Sequence, residues 1–195
     1  MPDLSKIATH INAKLKAGFN TKNFAGALYS NIAEPVLKET NDGGVLYPCI
    51  VANDGECTEL VVNDTYPMQV YHKTGNLNFD TGSENEYGDP GDNLQETASM
   101  ALILIANRNL IQVSKEDIAT GLALYLPKNV KRSEISSPNF ISCTIEAGQV
   151  NINTRDVFAQ EYGNVDFSLP PNYIMISLPY TVVTICNKSC FNICT

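Results

Sequence analysis

The sequence contains few of the residue types from which most active sites and membrane spans are built. It has no tryptophan and only two histidines, and charged residues make up 17% of its 195 positions. Neither a GxGxxG nor a GxxxxGK[ST] pattern occurs, so no glycine-rich phosphate-binding loop is indicated. A prominent apolar run, Met100 to Ala106, is far shorter than the roughly 20 residues that cross a bilayer. We therefore expect a soluble chain that does not enter a membrane.

The first residues also lack the pattern of a secretory signal peptide. MPDLSKIATHINAKL is amphipathic, without a basic start, an apolar centre or a cleavage site. Three of the six cysteines, Cys186, Cys190 and Cys194, crowd into the last ten residues instead of bridging the chain at intervals. We therefore expect synthesis in a reducing cytoplasm and free thiols.

The charge balance argues against a protein that seeks nucleic acid. With 13 basic and 21 acidic residues the chain carries a net charge of −8, which repels phosphate backbones and anionic lipid. A conduit wall along which DNA slides is a separate case, since a wall that does not attract phosphate cannot trap the strand. The small basic cluster Lys128, Lys131 and Arg132 is interpreted as a solvated turn or a subunit contact.

Hydrophobic periodicity and turn signals predict the order of the secondary-structure elements. The expected helices run from Leu4 to Gly18 with Asp3 as N-cap, from Ser114 to Pro127, and from Thr154 to Tyr162 between Asn153 and Gly163. The expected strands lie at 24–37, 45–52, 56–62, 66–71, 96–107, 140–145 and 174–186, with Pro179 indicating a bend or an edge in the last. The segment 96–107 is apolar on every face from Met100 onward, so periodicity alone does not separate a buried central strand from a buried helix, and a central strand is preferred. This order predicts one α+β domain, 1–195, with a mostly antiparallel β-sheet and flanking helices.

The pair of strands around Asp54-Gly55 makes a testable prediction about two cysteines. A two-residue turn there sets Cys49 opposite Leu60 and Cys57 opposite Ala52. In that register the two thiols lie on opposite sheet faces, and a disulfide between them is excluded.

An acidic segment, DTGSENEYGDPGDN, has no apolar period and is expected to form an exposed loop. Its acidic residues are Asp80, Glu84, Glu86, Asp89 and Asp92. Their spacing does not match an EF-hand, so a solvated loop is preferred to a calcium site. A hydrolase that uses these carboxylates stays an alternative.

Neither histidine has a catalytic partner that spacing can identify. His10 lies on the amphipathic first helix, and His72 lies in a strand where a cross-strand packing role is expected. The three C-terminal cysteines, four residues apart, are the metal-ligand candidates, and a small metal-binding module built on them is a second alternative. Buried cysteines that behave as small hydrophobes explain the same pattern, so no metal and no cofactor are predicted.

Two stretches, GDNLQETASMALILIANR and YIMISLPYTVVTICNKSCFNICT, together with the element order, resemble the tail-terminator and tail-completion proteins of tailed bacteriophages. The resemblance is specifically to the neck ring proteins of crAss-like phages. It implies a tail-terminator-like fold and a non-enzymatic virion structural protein without catalytic residues.

By the same resemblance, the chain is a head-tail joining connector that forms a ring oligomer around the DNA channel. Its implied partners are its own copies, the portal, adaptor or tail tube, and genomic DNA that passes without sequence-specific binding. The implied location is the neck or tail of the virion, assembled in the host bacterial cytoplasm. The acidic loop is then a candidate for a subunit contact or for the lumen.

Overall fold

In the computed structural model, one helix precedes a run of five strands, after which helices and strands alternate. The structure describes residues 4–21, 32–40, 43–51, 57–59, 64–80, 93–135, 140–163 and 169–187. The helices are α1 (Leu4–Thr21), α2 (Lys115–Tyr125), α3 (Arg132–Ile135) and α4 (Thr154–Tyr162). The strands are β1 (Ile32–Thr40), β2 (Gly43–Val51), β3 (Cys57–Glu59), β4 (Met68–Asp80), β5 (Asn93–Asn107), β6 (Asn129–Val130), β7 (Phe140–Ala147) and β8 (Tyr173–Asn187).

All of these strands belong to one sheet with the order β3-β2-β1-β4-β5-β8-β7-β6. The block from β4 to β6 is antiparallel throughout, and so is the block of β1, β2 and β3. A short parallel contact, in which Ile32 and Ala33 pair with His72 and Lys73, joins the two blocks. The prediction of an α+β domain with a mostly antiparallel sheet and flanking helices is confirmed.

The predicted central strand is confirmed in β5. Its residues pair with β4 on one side and with β8 on the other, and residues 102–107 are all buried. A strand that packs on both faces must be apolar at consecutive positions, which explains the unbroken run from Met100 to Ala106. The sequence 96–107 therefore forms the middle of the sheet and not a buried helix.

The two faces of the sheet have separate cores. On the first face, Ile7, Ile11 and Leu15 of α1 and apolar residues of α2 pack on alternate residues of β4, β5, β8 and β7. On the second face, α4 packs through Val157 and Tyr162 against a smaller set of strand residues. Alternation in β8 follows this division, because Ile174, Ile176, Leu178, Tyr180, Val182, Thr184 and Cys186 are all buried on the first face, as predicted.

The predicted end of the first helix is wrong. Helix α1 continues through Gly18 to Thr21, and Gly18 instead faces the Tyr125 ring of α2. A Cβ atom at position 18 would lie 2.2 Å from Cγ of Tyr125, so the missing side chain is what lets the two helices approach. The proposed N-cap, Asp3, lies outside the described residues.

The predicted register of the hairpin is wrong by one residue. Cys49 pairs with Glu59 and Cys57 pairs with Val51, because an odd number of residues separates the two arms. The argument that placed the two cysteines on opposite faces therefore fails. Of the strand predicted at 24–37, the part from Ile32 onward belongs to β1, and residues 24–31 lie outside the described residues.

The predicted N-cap of α2 and the predicted bounds of α4 are confirmed, whereas Pro179 does not lie at an edge of the sheet. Helix α2 begins at Ser114 as predicted, whose hydroxyl accepts the backbone N–H of Asp117 at 3.0 Å. Helix α4 has the predicted bounds. Pro179 does not mark an edge, since β8 lies between β5 and β7. Its missing N–H is tolerated because the pairing with β7 ends at Ala147, beyond which the Gly148 N–H donates to the Pro179 carbonyl at 2.7 Å.

Candidate subunit interface on the sheet

One half of the second sheet face is left uncovered by the helices that the structure describes. Helix α4 packs at the end of the sheet that contains Tyr71, Ile103 and Met175. Toward the other end, side chains of β5, β8 and β7 are exposed or half-exposed. We call this region the open face; it consists of Gln95, Thr97, Ser99, Ser142, Thr144, Glu146, Thr181, Val183 and Ile185.

The strand register arranges the open face as three rows. Gln95, Ile185 and Ser142 are paired across the three strands, and the next row contains Thr97, Val183 and Thr144. The third row contains Ser99, Thr181 and Glu146. With strands about 4.8 Å apart and same-face neighbours about 6.8 Å apart along a strand, the grid spans about 10 Å by about 14 Å.

The chemistry of the open face is suited to contact with another protein. Glu146 is its one charged residue, and the remaining side chains are small, amide or β-branched. Charged residues are depleted at the centre of protein interfaces, because a buried unpaired charge loses its hydration without compensation. A partner that covered the open face would therefore have to desolvate only one carboxylate of that face, the Glu146 side chain.

Two exposed apolar side chains lie at the same end of the sheet, on its first face. Leu77 is 43% exposed and Phe79 is 46% exposed, and Phe79 pairs with Glu96 of β5. The Glu96 side chain is buried at 2% exposure, its Oε2 atom has no hydrogen-bond partner, and burial raises the pKa of its carboxyl group. At this end of the sheet, exposed side chains therefore lie on both faces.

The acidic segment begins at the border of the open face. Asp80 is the last residue of β4, is exposed, and pairs with Gln95. The other acidic residues named from the sequence, Glu84, Glu86, Asp89 and Asp92, lie outside the described residues. That the segment forms a subunit contact or faces a lumen stays a prediction.

His72 lies in a hydrogen-bonded centre that sequence reasoning missed. Its side chain is 0% exposed, with Nδ1 2.8 Å from the Tyr180 hydroxyl of β8 and Nε2 2.9 Å from Oδ1 of Asn12 in α1. Because a carbonyl oxygen only accepts, Nε2–H donates to Asn12 and Nδ1 accepts the Tyr180 hydroxyl. Desolvation lowers the pKa of His72 to about 3.

This centre fixes α1 on the sheet and is closed to a substrate. Both ring nitrogens of His72 are occupied, and neither Asn12 nor Tyr180 is exposed. One signal was available: His72 shares the parity of Met68 and Val70, which places it on the buried face of β4. Its partners could not be inferred, because they are 60 and 108 residues away in the sequence.

His10 has a different environment at the contact of α1 with α3. Its Nε2 atom lies 3.9 Å from Oε1 of Glu134, and Lys14 Nζ donates to the same oxygen at 3.4 Å. Burial lowers the pKa of His10, while Glu134 opposes that shift. The ion pair of this contact is therefore Lys14 with Glu134, while the Nε2 atom of His10 is buried without a hydrogen-bond partner.

The Glu161 carboxylate of α4 holds that helix on the second sheet face through both of its oxygens. Its Oε2 atom accepts the Tyr71 hydroxyl at 2.9 Å, and its Oε1 atom accepts Lys73 Nζ at 2.9 Å. Desolvation raises the pKa of Tyr71 well above its ordinary value, and the Tyr71 hydroxyl therefore stays protonated as a donor. This group explains how a helix with a small apolar face stays attached.

Of the metal-ligand candidates, the structure describes Cys186 alone. Cys186 is buried at the end of β8, while Cys190 and Cys194 lie outside the described residues. Cys143 of β7 is a buried free thiol, and burial raises its pKa to about 12. Among the residues with described positions, no group of three or more His, Cys, Asp or Glu could hold a metal ion.

A groove of about 280 Å³ runs along α2 and is lined by Val113, Leu124 and Tyr125 with polar neighbours. Its one carboxylate, Asp117, accepts the Ser114 hydroxyl at 2.8 Å and so belongs to the helix cap.

Within the described ranges, no helix combines the length and the apolar character needed to cross a membrane.

Comparisons with known proteins add no family to this description. A scan against models of protein families finds no match, and a search of curated proteins finds none either.

Proposed function

We propose that the protein is a non-enzymatic structural subunit that forms a ring in the neck or tail of a tailed bacteriophage. The ring would connect portal or adaptor to tail and surround the DNA channel. The observation that carries the proposal is the open face, a nearly uncharged surface on the part of the second sheet face that α4 does not cover. The resemblance of the sequence to phage neck ring proteins supplies the identity of the assembly.

The mechanism of such a subunit is physical. Copies associate by head-to-tail contacts between two different surfaces, and a rotation that closes produces a ring with a central channel. The open face is suited to be one of these surfaces, and Asp80, at which the acidic segment starts, adjoins it. A net charge of −8 keeps the ring from retaining DNA by ion pairing during its passage.

The chemistry of the interior favours this role over catalysis. His72 is sealed between α1 and β8, and the Glu161 carboxylate is occupied by two donors. Asp117 belongs to a helix cap. A hydrolase needs a carboxylate or histidine that a substrate can reach, and these three described groups instead hold the fold together.

The experiment compares charged variants of the open face with a matched control. Thr97→Lys and Val183→Lys place an ammonium in the middle row, whereas Thr120→Lys places the same charge on the exposed side of α2. We expect the wild type and Thr120→Lys to form the same oligomer by multi-angle light scattering. We expect both open-face variants to remain monomers with unchanged circular dichroism.

Two results would oppose the proposal. A wild-type chain that is monomeric at every concentration, alone or with phage neck and tail proteins, would remove the ring. Open-face variants that assemble like the wild type would show that the contacts of the ring lie elsewhere. The open face would then no longer support the proposal.

A further inference from the structure

The helix-covered side of the molecule carries a surface of charge opposite to that of the whole chain. Six of the 13 basic residues lie in α1 and in residues 126–135, together with one of the 21 acidic residues. Four of these basic residues, all with exposed side chains, form what we call the basic face: Lys14, Lys128, Lys131 and Arg132. The one carboxylate among them is Glu134 of α3.

Glu134 is already neutralised by its neighbours on the basic face. Its Oε1 atom accepts Lys14 Nζ at 3.4 Å, and its Oε2 atom accepts the backbone N–H of Lys131 at 2.8 Å. The backbone hydrogen bond from Lys131 lowers the pKa of Glu134, which keeps its carboxylate ionised. Lys128, Lys131 and Arg132 are left as exposed cations without a carboxylate partner among the described residues.

The same chain carries a counterpart of opposite charge. Residues 80–92 contain Asp80, Glu84, Glu86, Asp89 and Asp92 and no lysine or arginine. Asp80, with which this segment begins, is the last residue of β4, and β4 and β6 are the outer strands of the antiparallel block. At about 4.8 Å per strand, β4 and β6 are about 19 Å apart across the sheet.

We propose that the basic face binds the acidic segment 80–92 of the neighbouring copy in the ring. The inference rests on the proposed ring function and names one of its contacts. A basic surface and an acidic segment are two different parts of one subunit, and their pairing between neighbouring copies is a head-to-tail contact, which a closed ring needs. The contact also fixes the register between copies, because a wrong approach sets like charges against each other.

Duplex DNA is the other polyanion that could meet a basic surface. The acidic segment is the preferred occupant because every copy supplies one, while the net charge of −8 repels DNA at long range. Binding of DNA by this face is therefore an outcome that the experiment must be able to detect.

The experiment reverses charge on each side separately and then on both. The face variant carries Lys131→Glu and Arg132→Glu, the segment variant carries Glu84→Lys and Glu86→Lys, and the combined variant carries all four changes. We expect the concentration for half-assembly, followed by light scattering at 0.15 M salt, to rise at least tenfold in the first two. We expect the combined variant to return toward the wild-type value, because opposite charges face each other again.

A control variant, Lys115→Glu with Arg155→Glu, makes the same change in net charge on the exposed surfaces of α2 and α4. It should assemble like the wild type. Circular dichroism and thermal unfolding check that all variants fold.

The outcomes separate this inference from the proposed function. A monomeric wild type would contradict both the proposed ring function and the charged contact. If the wild type forms rings and the face variant assembles equally well, only the charged contact is overturned. The same holds if the combined variant needs as high a concentration for half-assembly as the face variant and the segment variant do. A face variant that keeps its mass but loses binding to labelled duplex DNA would assign the basic face to the nucleic acid and overturn the inference.

Discussion

Acidification should destabilise this protein chiefly through one buried histidine. His72 is 0% exposed, and desolvation lowers its pKa from 6.5 to about 3. Protonation would also remove the acceptor that the Tyr180 hydroxyl needs at Nδ1, and leave two donors facing each other at 2.8 Å. The native state therefore excludes the proton, while the unfolded chain binds it at ordinary pH values.

The sign and size of the effect follow from this difference. Between pH 6.5 and about pH 3 the unfolded state holds one proton more than the folded state at His72. The free energy of unfolding then falls by about 1.4 kcal/mol for each unit of decreasing pH. From pH 7.5 to 4.5 the loss is about 3 kcal/mol, a large share of the roughly 5–15 kcal/mol that stabilises a typical domain.

The assay is urea unfolding at pH 7.5 and pH 4.5 of the wild type, His72→Gln and His10→Gln. Glutamine can still form hydrogen bonds at position 72 but does not titrate. We expect His72→Gln to be less stable than the wild type at pH 7.5 and to lose less stability on acidification, by about 3 kcal/mol. Glu96 acts in the opposite direction because its pKa is raised, and its effect cancels in the comparison.

The control variant His10→Gln removes the histidine on α1 that lies near the surface, and we expect it to keep most of the wild-type pH dependence. Equal pH dependence in the wild type and His72→Gln would refute the reasoning. So would an NMR titration in which the His72 ring protonates above pH 6 in the folded protein.

Three further predictions concern packing, thiol reactivity and capping. Gly18→Ala should destabilise the protein by about 1–3 kcal/mol in urea unfolding, although the same change in an exposed helix stabilises, because the new methyl group meets the Tyr125 ring. At pH 8, a thiol reagent should leave Cys143 unmodified in the folded protein and label it in urea, as read by peptide mass spectrometry, because the thiolate is the reactive form. Ser114→Ala should lower the free energy of unfolding by about 1 kcal/mol through loss of the bond from the Asp117 N–H, and no change in urea unfolding would contradict this.

Elements with a strong period could be predicted from the sequence. The alternation in β8 and the spacing of turn residues around α4 are local properties, and both elements have the expected form. The apolar run in β5 fits a central strand because strands buried on both faces need no alternation, but its periodicity alone also fits a buried helix.

The errors come from contacts between distant parts of the chain. Gly18 has the local signature of a helix end, but its position is decided by the Tyr125 ring of α2, which no local rule includes. The hairpin register depends on one residue in the connection. Pro179 is tolerated inside the sheet because the pairing of β7 stops beside it.

The candidate interface was only partly predictable, for the same reason. Alternation in β8 places Thr181 and Val183 on the face opposite to the core. Whether a helix covers that face depends on where α4 packs, and this is set by Val157 and by the bonds of Glu161 to β4. The acidic segment was named from composition alone, which gives its charge but not the surface that it meets.

Native mass spectrometry of the purified wild-type chain, with electron microscopy of the same sample, tests the central claim most directly. The account predicts a discrete multiple of the 21.3 kDa protomer that appears as a closed ring with a central channel. A single 21.3 kDa species at every concentration, also in the presence of phage portal, adaptor and tail proteins, would contradict it.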